Sequence, residues 1–182
     1  MTLSARILAA VLALTAAPAF ADNPMVGGAA MYDSKNIIEN AVNSADHTTL
    51  VAAVKAAGLV DTLSGKGPFT VFAPTNEAFA KLPAGTVENL LKPENKDMLA
   101  KILTCHVVAA EASAELIKGM IETDGGKHVI DTVGGCKFTA MSKDGKVMIE
   151  DEQGNVATVT IADVMQSNGV IHVIDTVLLP KM

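Results

Sequence analysis

The sequence predicts an α+β fold in a single domain, and three observations carry that expectation. From Ser34 to Lys118, apolar residues recur at three- and four-residue spacing, as on amphipathic helices. After Met120 the period shortens to two, with turn signals between the runs, as in a β-meander. The length of 182 residues suits one domain with a sizeable core and is too short for two ordinary ones.

Residues 1–21 read as an export signal rather than as part of the fold. Arg6 is their only charge, and Ile7 to Ala17 is an apolar run too short to span a membrane. Pro18 breaks that run, and Ala19-Phe20-Ala21 is a small-x-small cleavage pattern. Cleavage is expected after Ala21, which makes Asp22 the mature start and the location periplasmic or extracellular. No cysteine follows to carry a lipid, and no other segment is apolar enough to cross a bilayer.

Residues 22–33 are Gly-rich and irregular and read as a flexible arm. The folded domain is expected over 34–180. Ser34 is placed to cap a first helix with Ile37, Ile38, Ala41 and Val42 on one face. A second helix starts at Asp46 to Thr49, turns Leu50, Val51, Val54 and Ala57 inward and ends at Gly58. Leu59 to Leu63 is a further helical turn, and Gly65-Lys66-Gly67-Pro68 is a turn signal. Phe69 to Ala73 is a short β-leaning run stopped by Pro74. Thr75 then caps a helix in which Glu77 suits the first turn and Phe79 and Leu82 start the apolar face. Pro83 and Gly85 end it, and Thr86 caps a turn over Val87 to Leu91. Pro93 opens a helix from Glu94 to Leu103. Thr104 to Val108 reads as a strand and Ala112 to Lys118 as a short helix. Strands follow over Lys127 to Val133, Cys136 to Met141, Val147 to Ile149 and Val156 to Ile161, with Asp144-Gly145 a two-residue hairpin turn. The last strand, from Gly169, is apolar on both faces and so belongs in the middle of a covered sheet.

Composition excludes some functions. Loss of Arg6 leaves 13 basic residues against 20 acidic ones, which argues against nucleic acid and other polyanions as partners. With 3% aromatics, no Trp and one Tyr, a base- or sugar-stacking surface is not built in. No nucleophile elbow, C-x-x-C pair, calcium-loop spacing or cofactor motif is present. The four histidines lack the i, i+4 spacing of a helical metal site, so no metal or cofactor is expected.

Two stretches dominate the pattern. T-V-F-A-P-T-N-E-A-F, Thr70 to Phe79, resembles the first signature box of the fasciclin I-type domain, and G-V-I-H-V-I-D-T-V-L-L-P, Gly169 to Pro180, resembles the second. Between them, I-L-T-C-H-V-V (Ile102 to Val108) resembles the family's central Tyr-His strand with Cys105 in place of Tyr, and L-L-K-P-E-N-K-D-M-L (Leu90 to Leu99) also resembles the family. The resemblance implies a wedge-shaped sheet flanked by helices and a small bacterial secreted form. It also implies an extracellular adhesion or protein-binding role without general enzymatic activity. The partner implied is a cell-surface or matrix protein or glycan, and the chain is expected to be a monomer or to self-associate weakly. Thr70, Pro74, Thr75, Asn76, Phe79, His106, His172 and Asp175 are the signature positions. In animal matrix members an Asn-Lys-Asp motif and the Tyr-His region are associated with integrin contact. This carries over to Asn95, Lys96, Asp97, Met98 and His106, although ordinary helix patterning also explains the first four.

Buried polar residues need partners, so His172, Asp175, Thr75 and Asn76 are expected to tie the last strand to the opening turn. Cys105 and Cys136, the only cysteines of an exported chain, favour a disulfide, with two buried thiols as the alternative. The first functional reading is therefore a non-catalytic adhesion or protein-binding module. The second is a small ligand carrier or enzyme with a pocket centred on His106 and His172, and the third is a structural or stress protein of the envelope.

Overall fold

The computed structural model describes residues 23–181. The expected export signal and its cleavage after Ala21 lie outside these residues. The elements in order are β1 (Met25–Val26), β2 (Ala29–Ala30), α1 (Ile37–Ala41), α2 (Thr48–Ala57), α3 (Val60–Leu63), β3 (Phe69–Pro74), α4 (Asn76–Ala80), α5 (Thr86–Leu90), α6 (Lys96–Cys105), β4 (Val107–Val108), α7 (Ala114–Thr123), β5 (Lys127–Asp131), β6 (Lys137–Lys143), β7 (Lys146–Glu150), β8 (Val156–Gln166) and β9 (Gly169–Ile174). The fold is α+β, as expected.

The main sheet has seven strands in the order β4-β3-β9-β8-β7-β6-β5. β9 runs parallel to β3, and every other neighbouring pair is antiparallel. All six residues of β9 are buried, because cores lie on both of its faces. Val71, Ala73, Ile171 and Val173 face the core built with α1, α2, α4 and α6. Phe72, Phe138, Ile149 and Ile174 face the second core, which α7 closes with Ile117 and Ile121. Gly169 lets β9 pass against β3: a Cβ there would lie 2.0 Å from the Phe69 carbonyl oxygen, which no side chain tolerates.

The sheet curls until its ends meet. Val133 N–H, just past β5, donates to the Val107 carbonyl of β4 (2.8 Å), and Gly134 N–H donates to Thr104 (3.0 Å). A disulfide from Cys105 to Cys136 covalently seals the same seam, with Cα atoms 5.5 Å apart. Gly134 sits against it, where a Cβ would come within 2.7 Å of the Cys105 nitrogen and Sγ.

Several local expectations are corrected. Residues 22–33 are not a loose arm in their described part: β1 and β2 form a small hairpin with Val26 and Met31 buried in the first core. Asn36, not Ser34, caps α1. It accepts from Glu39 N–H (2.9 Å) while the Glu39 carboxylate accepts from Asn36 N–H (2.8 Å), a reciprocal box worth more than a lone hydroxyl. Gly85, at φ +81°, rather than Thr86, precedes α5. Of the strand expected over Thr104 to Val108, only Val107–Val108 forms, as β4. The packing stripe of Leu99, Ile102 and Leu103 continues to Cys105, and the Thr104 hydroxyl donates back to Ala100 (2.8 Å), so α6 runs on to the disulfide. Both cysteines therefore lie off the strands expected for them, Cys105 at a helix end and Cys136 just ahead of β6. α7 continues through Gly119 to Thr123, because burial of Ile117 and Ile121 offsets the roughly 1 kcal/mol that a mid-helix glycine costs. β8 runs on to Gln166 across two register shifts, with Asp163 at φ 56°.

Candidate functional site

The expected cluster of His172, Asp175, Thr75 and Asn76 does not form, because each ties a different pair of elements. Thr75 Oγ1 caps α4 by accepting from Ala78 N–H (3.2 Å), and its own N–H donates to Ile174 (3.3 Å). That backbone bond is the direct link from the opening turn to the last strand. Asn76 turns the other way: Oδ1 accepts from Thr49 N–H (3.0 Å) and Thr48 Oγ1 (3.2 Å), and Nδ2 donates to Ala45 (2.9 Å). It thereby caps α2 from a neighbouring helix. Asp175 accepts from Thr158 N–H (2.8 Å) and pairs with Lys81 (3.7 Å). Thr70 fastens the segment before α7, donating to Ala110 (2.6 Å) and accepting from Ala112 N–H (2.9 Å). Pro74 ends β3, and Phe79 is buried.

His172 is buried against Phe72, with ring centroids 5.8 Å apart. Its Nε2 donates to the Ala112 carbonyl (2.8 Å) and its Nδ1 accepts from Asp163 N–H (3.2 Å). Carbonyls only accept and amides only donate, so the ring is a neutral Nε2-H tautomer. Burial holds its pKa below the usual histidine value. Asp163 in turn accepts from Ala114 N–H at the start of α7 (2.7 Å), so His172 positions the bulge that receives that helix.

His106 is the opposite tautomer. As the residue closing α6, it donates from Nδ1 to the Ile102 carbonyl (2.8 Å), an acceptor that the helix end would otherwise leave unpaired. Its Nε2 accepts from Leu178 N–H (3.0 Å). Burial pushes its pKa down to about 4. Both nitrogens are therefore committed to backbone, and neither is left for a substrate.

The geometry gives no support to a pocket centred on His106 and His172. A cavity of about 50 Å³ lies between the sheet and α1–α3, and His106 and His47 border it, but its lining is overwhelmingly apolar, including Leu50, Val54, Val71 and Ile171. His47 Nδ1 bonds Ser44 Oγ (2.8 Å), whereas its buried Nε2 makes no hydrogen bond. The nearby Ala73 carbonyl favours the protonated ring, but burial outweighs it and lowers the pKa. Among the described residues, no group of three or more His, Cys, Asp or Glu is arranged to hold a metal ion.

A larger concavity lies elsewhere. Between α5, α6 and the C-terminal segment is a groove of about 390 Å³, lined by Thr86, Asn89, Leu90, Asn95, Met98, Ile102, Gln153, Leu179 and Pro180. Leu90 and Ile102 form a buried apolar floor, and Met98 stands 46% exposed beside it. Asn95 Nδ2 is anchored on the Asn89 carbonyl (2.7 Å) and Gln153 Nε2 on Pro180 (2.9 Å). The candidate partner-binding residues thus separate. Asn95 and Met98 share the groove, Lys96 reaches toward Gly58 at the end of α2, Asp97 is exposed, and His106 is buried.

The groove wall formed by the C-terminal segment hangs on carboxylates. Asp151, itself buried, accepts from Gln153 and Asn155 N–H through Oδ1, and from Leu179 N–H through Oδ2 (2.8 Å). Glu152 accepts from Lys137 N–H (2.9 Å) and Lys181 N–H (2.7 Å), bonds that hold its pKa below the usual carboxylate range. The sequence shows Asp151 to Asn155 only as a turn.

The family model for the fasciclin domain matches residues 45–180. The chain belongs to the fasciclin family. It is 52% identical over 158 residues to "Protein sll1483" of Synechocystis sp., covering 87% of this chain and 81% of that one. It is 35% identical over 166 residues to "Cell surface glycolipoprotein MPB83" of Mycobacterium bovis, covering 88% and 68%. In structure it is similar to a FAS1 domain pair from the insect cell adhesion molecule fasciclin I, with a TM-score of 0.70 at 20% identity. That match covers 80% of this chain and 51% of the pair, and at this identity it speaks for the fold. The two fasciclin signature boxes therefore contain the paired strands β3 and β9 and the turns that leave them. The second box also runs into the groove through Leu179 and Pro180, a contribution that alternation of apolar residues could not reveal.

Proposed function

We propose that this fasciclin domain is an exported, non-catalytic protein-binding module of adhesion type, and that the groove between α5, α6 and the C-terminal segment is its contact surface. The observation that carries the reading is the pairing of an apolar floor with an exposed Met98 and an amide-bearing rim in one concavity of about 390 Å³. Apolar centres with polar edges are the general anatomy of protein contact sites, and methionine is enriched in them. Family membership and the cell-surface and cell-adhesion names of relatives support an exported adhesive role. The commitment of both nitrogens of His106 and of His172 to backbone groups supports a non-catalytic one. The partner class is a cell-surface or matrix protein or glycan met in the periplasm or outside the cell.

The test is retention of envelope components on immobilised mature protein, repeated with Met98→Glu. Met98 is half exposed, so the substitution leaves the fold intact while placing a charge beside the apolar floor. Loss of the retained component with an unchanged melting temperature is expected. Equal retention by the variant removes the groove from the reading, and no retention by either protein removes the adhesive role.

A further inference from the structure

β5 forms one edge of the main sheet, and its free hydrogen-bonding groups can be read from the turns around it. The two-residue Asp144-Gly145 hairpin makes Lys143 and Lys146 a hydrogen-bonded closing pair. Lys143, Met141 and Thr139 therefore bond β7, and the intervening Ala140 and Phe138 bond His128 and Ile130 of β5. Thr132 N–H donating to the Cys136 carbonyl (3.0 Å) sets the same phase from the other end. The N–H and C=O groups of Lys127, Val129 and Asp131 accordingly point away from the sheet. The side chains of the same three residues are exposed, Val129 by 54%.

We infer that this edge pairs antiparallel with the β5 edge of a second copy of the chain, about a twofold axis at Val129. In that register the Val129 residues of the two copies exchange both backbone bonds, and each Lys127 lies opposite Asp131 of the second copy. All three outward-facing residues are used, in the hydrogen-bonded phase that their backbone requires. The charges select this register. A parallel in-register pairing sets Lys127 against Lys127, and an antiparallel slip of two residues sets Lys127 against Val129. Charged residues on an edge strand ordinarily block pairing. Here, charges of opposite sign flank an apolar centre symmetrically, so the edge is complementary to itself. The intramolecular pairs of Asp131 with Lys137 and of Lys127 with Glu150 leave the Asp131 and Lys127 side chains 73% and 66% exposed, with room for a second counter-charge. The opposite sheet edge offers no comparable site, because β4 has two residues and its Val107 carbonyl already accepts from Val133. Pairing through β5 thus closes at a dimer and does not propagate. Five residues a side make it a weak dimer, favoured where the protein is concentrated on a surface.

Sedimentation equilibrium of the mature protein across a concentration series into the millimolar range tests this. The wild type is expected to shift reversibly from monomer to dimer. Val129→Pro removes the central outward N–H without touching the bonds to β6, and it is expected to weaken the dimer about tenfold or more. Lys127→Glu and Asp131→Lys each place like charges in both symmetry-related pairs and are expected to weaken it similarly. Mixed with each other, these two variants regain opposite charges in both pairs and are expected to form a heterodimer. Melting temperatures of all variants check that the monomer is intact. A wild type that stays monomeric overturns the proposal, as does a Val129→Pro protein that dimerises normally or a charge mixture that does not associate.

Discussion

Replacement of His106 by Gln tests whether this side chain is a neutral, fully bonded joint between α6 and the C-terminal segment. The folded ring resists protonation until about pH 4, whereas in the unfolded chain it titrates near the ordinary histidine value of 6.5. Between those values the unfolded state holds more protons, so stability rises with pH through this window and is flat, for this group, above it. At about 1.36 kcal/mol per pKa unit, the wild type forfeits about 3 kcal/mol from His106 between pH 7 and pH 4. Gln does not titrate and forfeits none of it. The loss of two backbone bonds makes His106→Gln less stable than the wild type at pH 7, by about 1–3 kcal/mol. Urea unfolding at a series of pH values is then expected to show the difference moving by about 3 kcal/mol in favour of His106→Gln between pH 7 and pH 4, which closes the gap or reverses it. Burial lowers the pKa of His47 and His172 as well, so the wild-type slope is steeper than His106 alone provides. That part, and carboxylate protonation, cancel in the difference. Parallel pH curves for the two proteins, or an imidazole resonance of His106 titrating near 6.5, would show that the ring is not locked as described.

Two further predictions concern the fastenings. Replacing Cys105 and Cys136 together by Ser opens a link between residues 31 apart in sequence and is expected to cost about 3–4 kcal/mol in urea unfolding, the chain-entropy value for a loop of that size; a double variant as stable as the wild type would contradict it. Asn76→Ala removes the acceptor for Thr49 N–H and the donor to Ala45 and is expected to cost about 1–2 kcal/mol, whereas Asn76→Asp, which keeps an acceptor at the start of α2, is expected to recover most of that; equal losses in the two variants would mean that Asn76 is not a cap.

The elements legible in the sequence are those whose signal is local and single-valued. Phe69 to Pro74 with its Thr75 cap, the Asp144-Gly145 turn and the doubly buried β9 follow from turn chemistry and from apolar runs at one period. The misread elements carried two signals at once. Thr104 to Val108 is β-branched enough to read as a strand, yet its first residues complete the packing stripe of α6. Gly119 reads as a stop, yet Ile117 and Ile121 fall on one buried face across it. At the site, Asn95 and Met98 are legible through the family pattern. Gln153, Leu179 and Pro180 are not, because they meet α6 only after the chain has turned about Asp151. Pairings between residues far apart in sequence leave no periodic trace.

The way the groove is held separates the residues that line it from those that fasten it. Its C-terminal wall is fastened through main-chain N–H groups, Leu178 to His106, Leu179 to Asp151 and Lys181 to Glu152. Those bonds read no side chain on the wall itself, so they survive a change at Leu179, whose side chain also packs against the first core, but not a change at His106 or Asp151. The floor is set from α6, whose end is pinned by the same His106 and by the disulfide. The signature histidine therefore touches no groove occupant and instead fixes the distance between the two walls. A Met98 variant is expected to change partner affinity at constant stability, whereas a His106 variant is expected to change both together. That contrast separates a residue that touches the partner from one that builds the surface it touches.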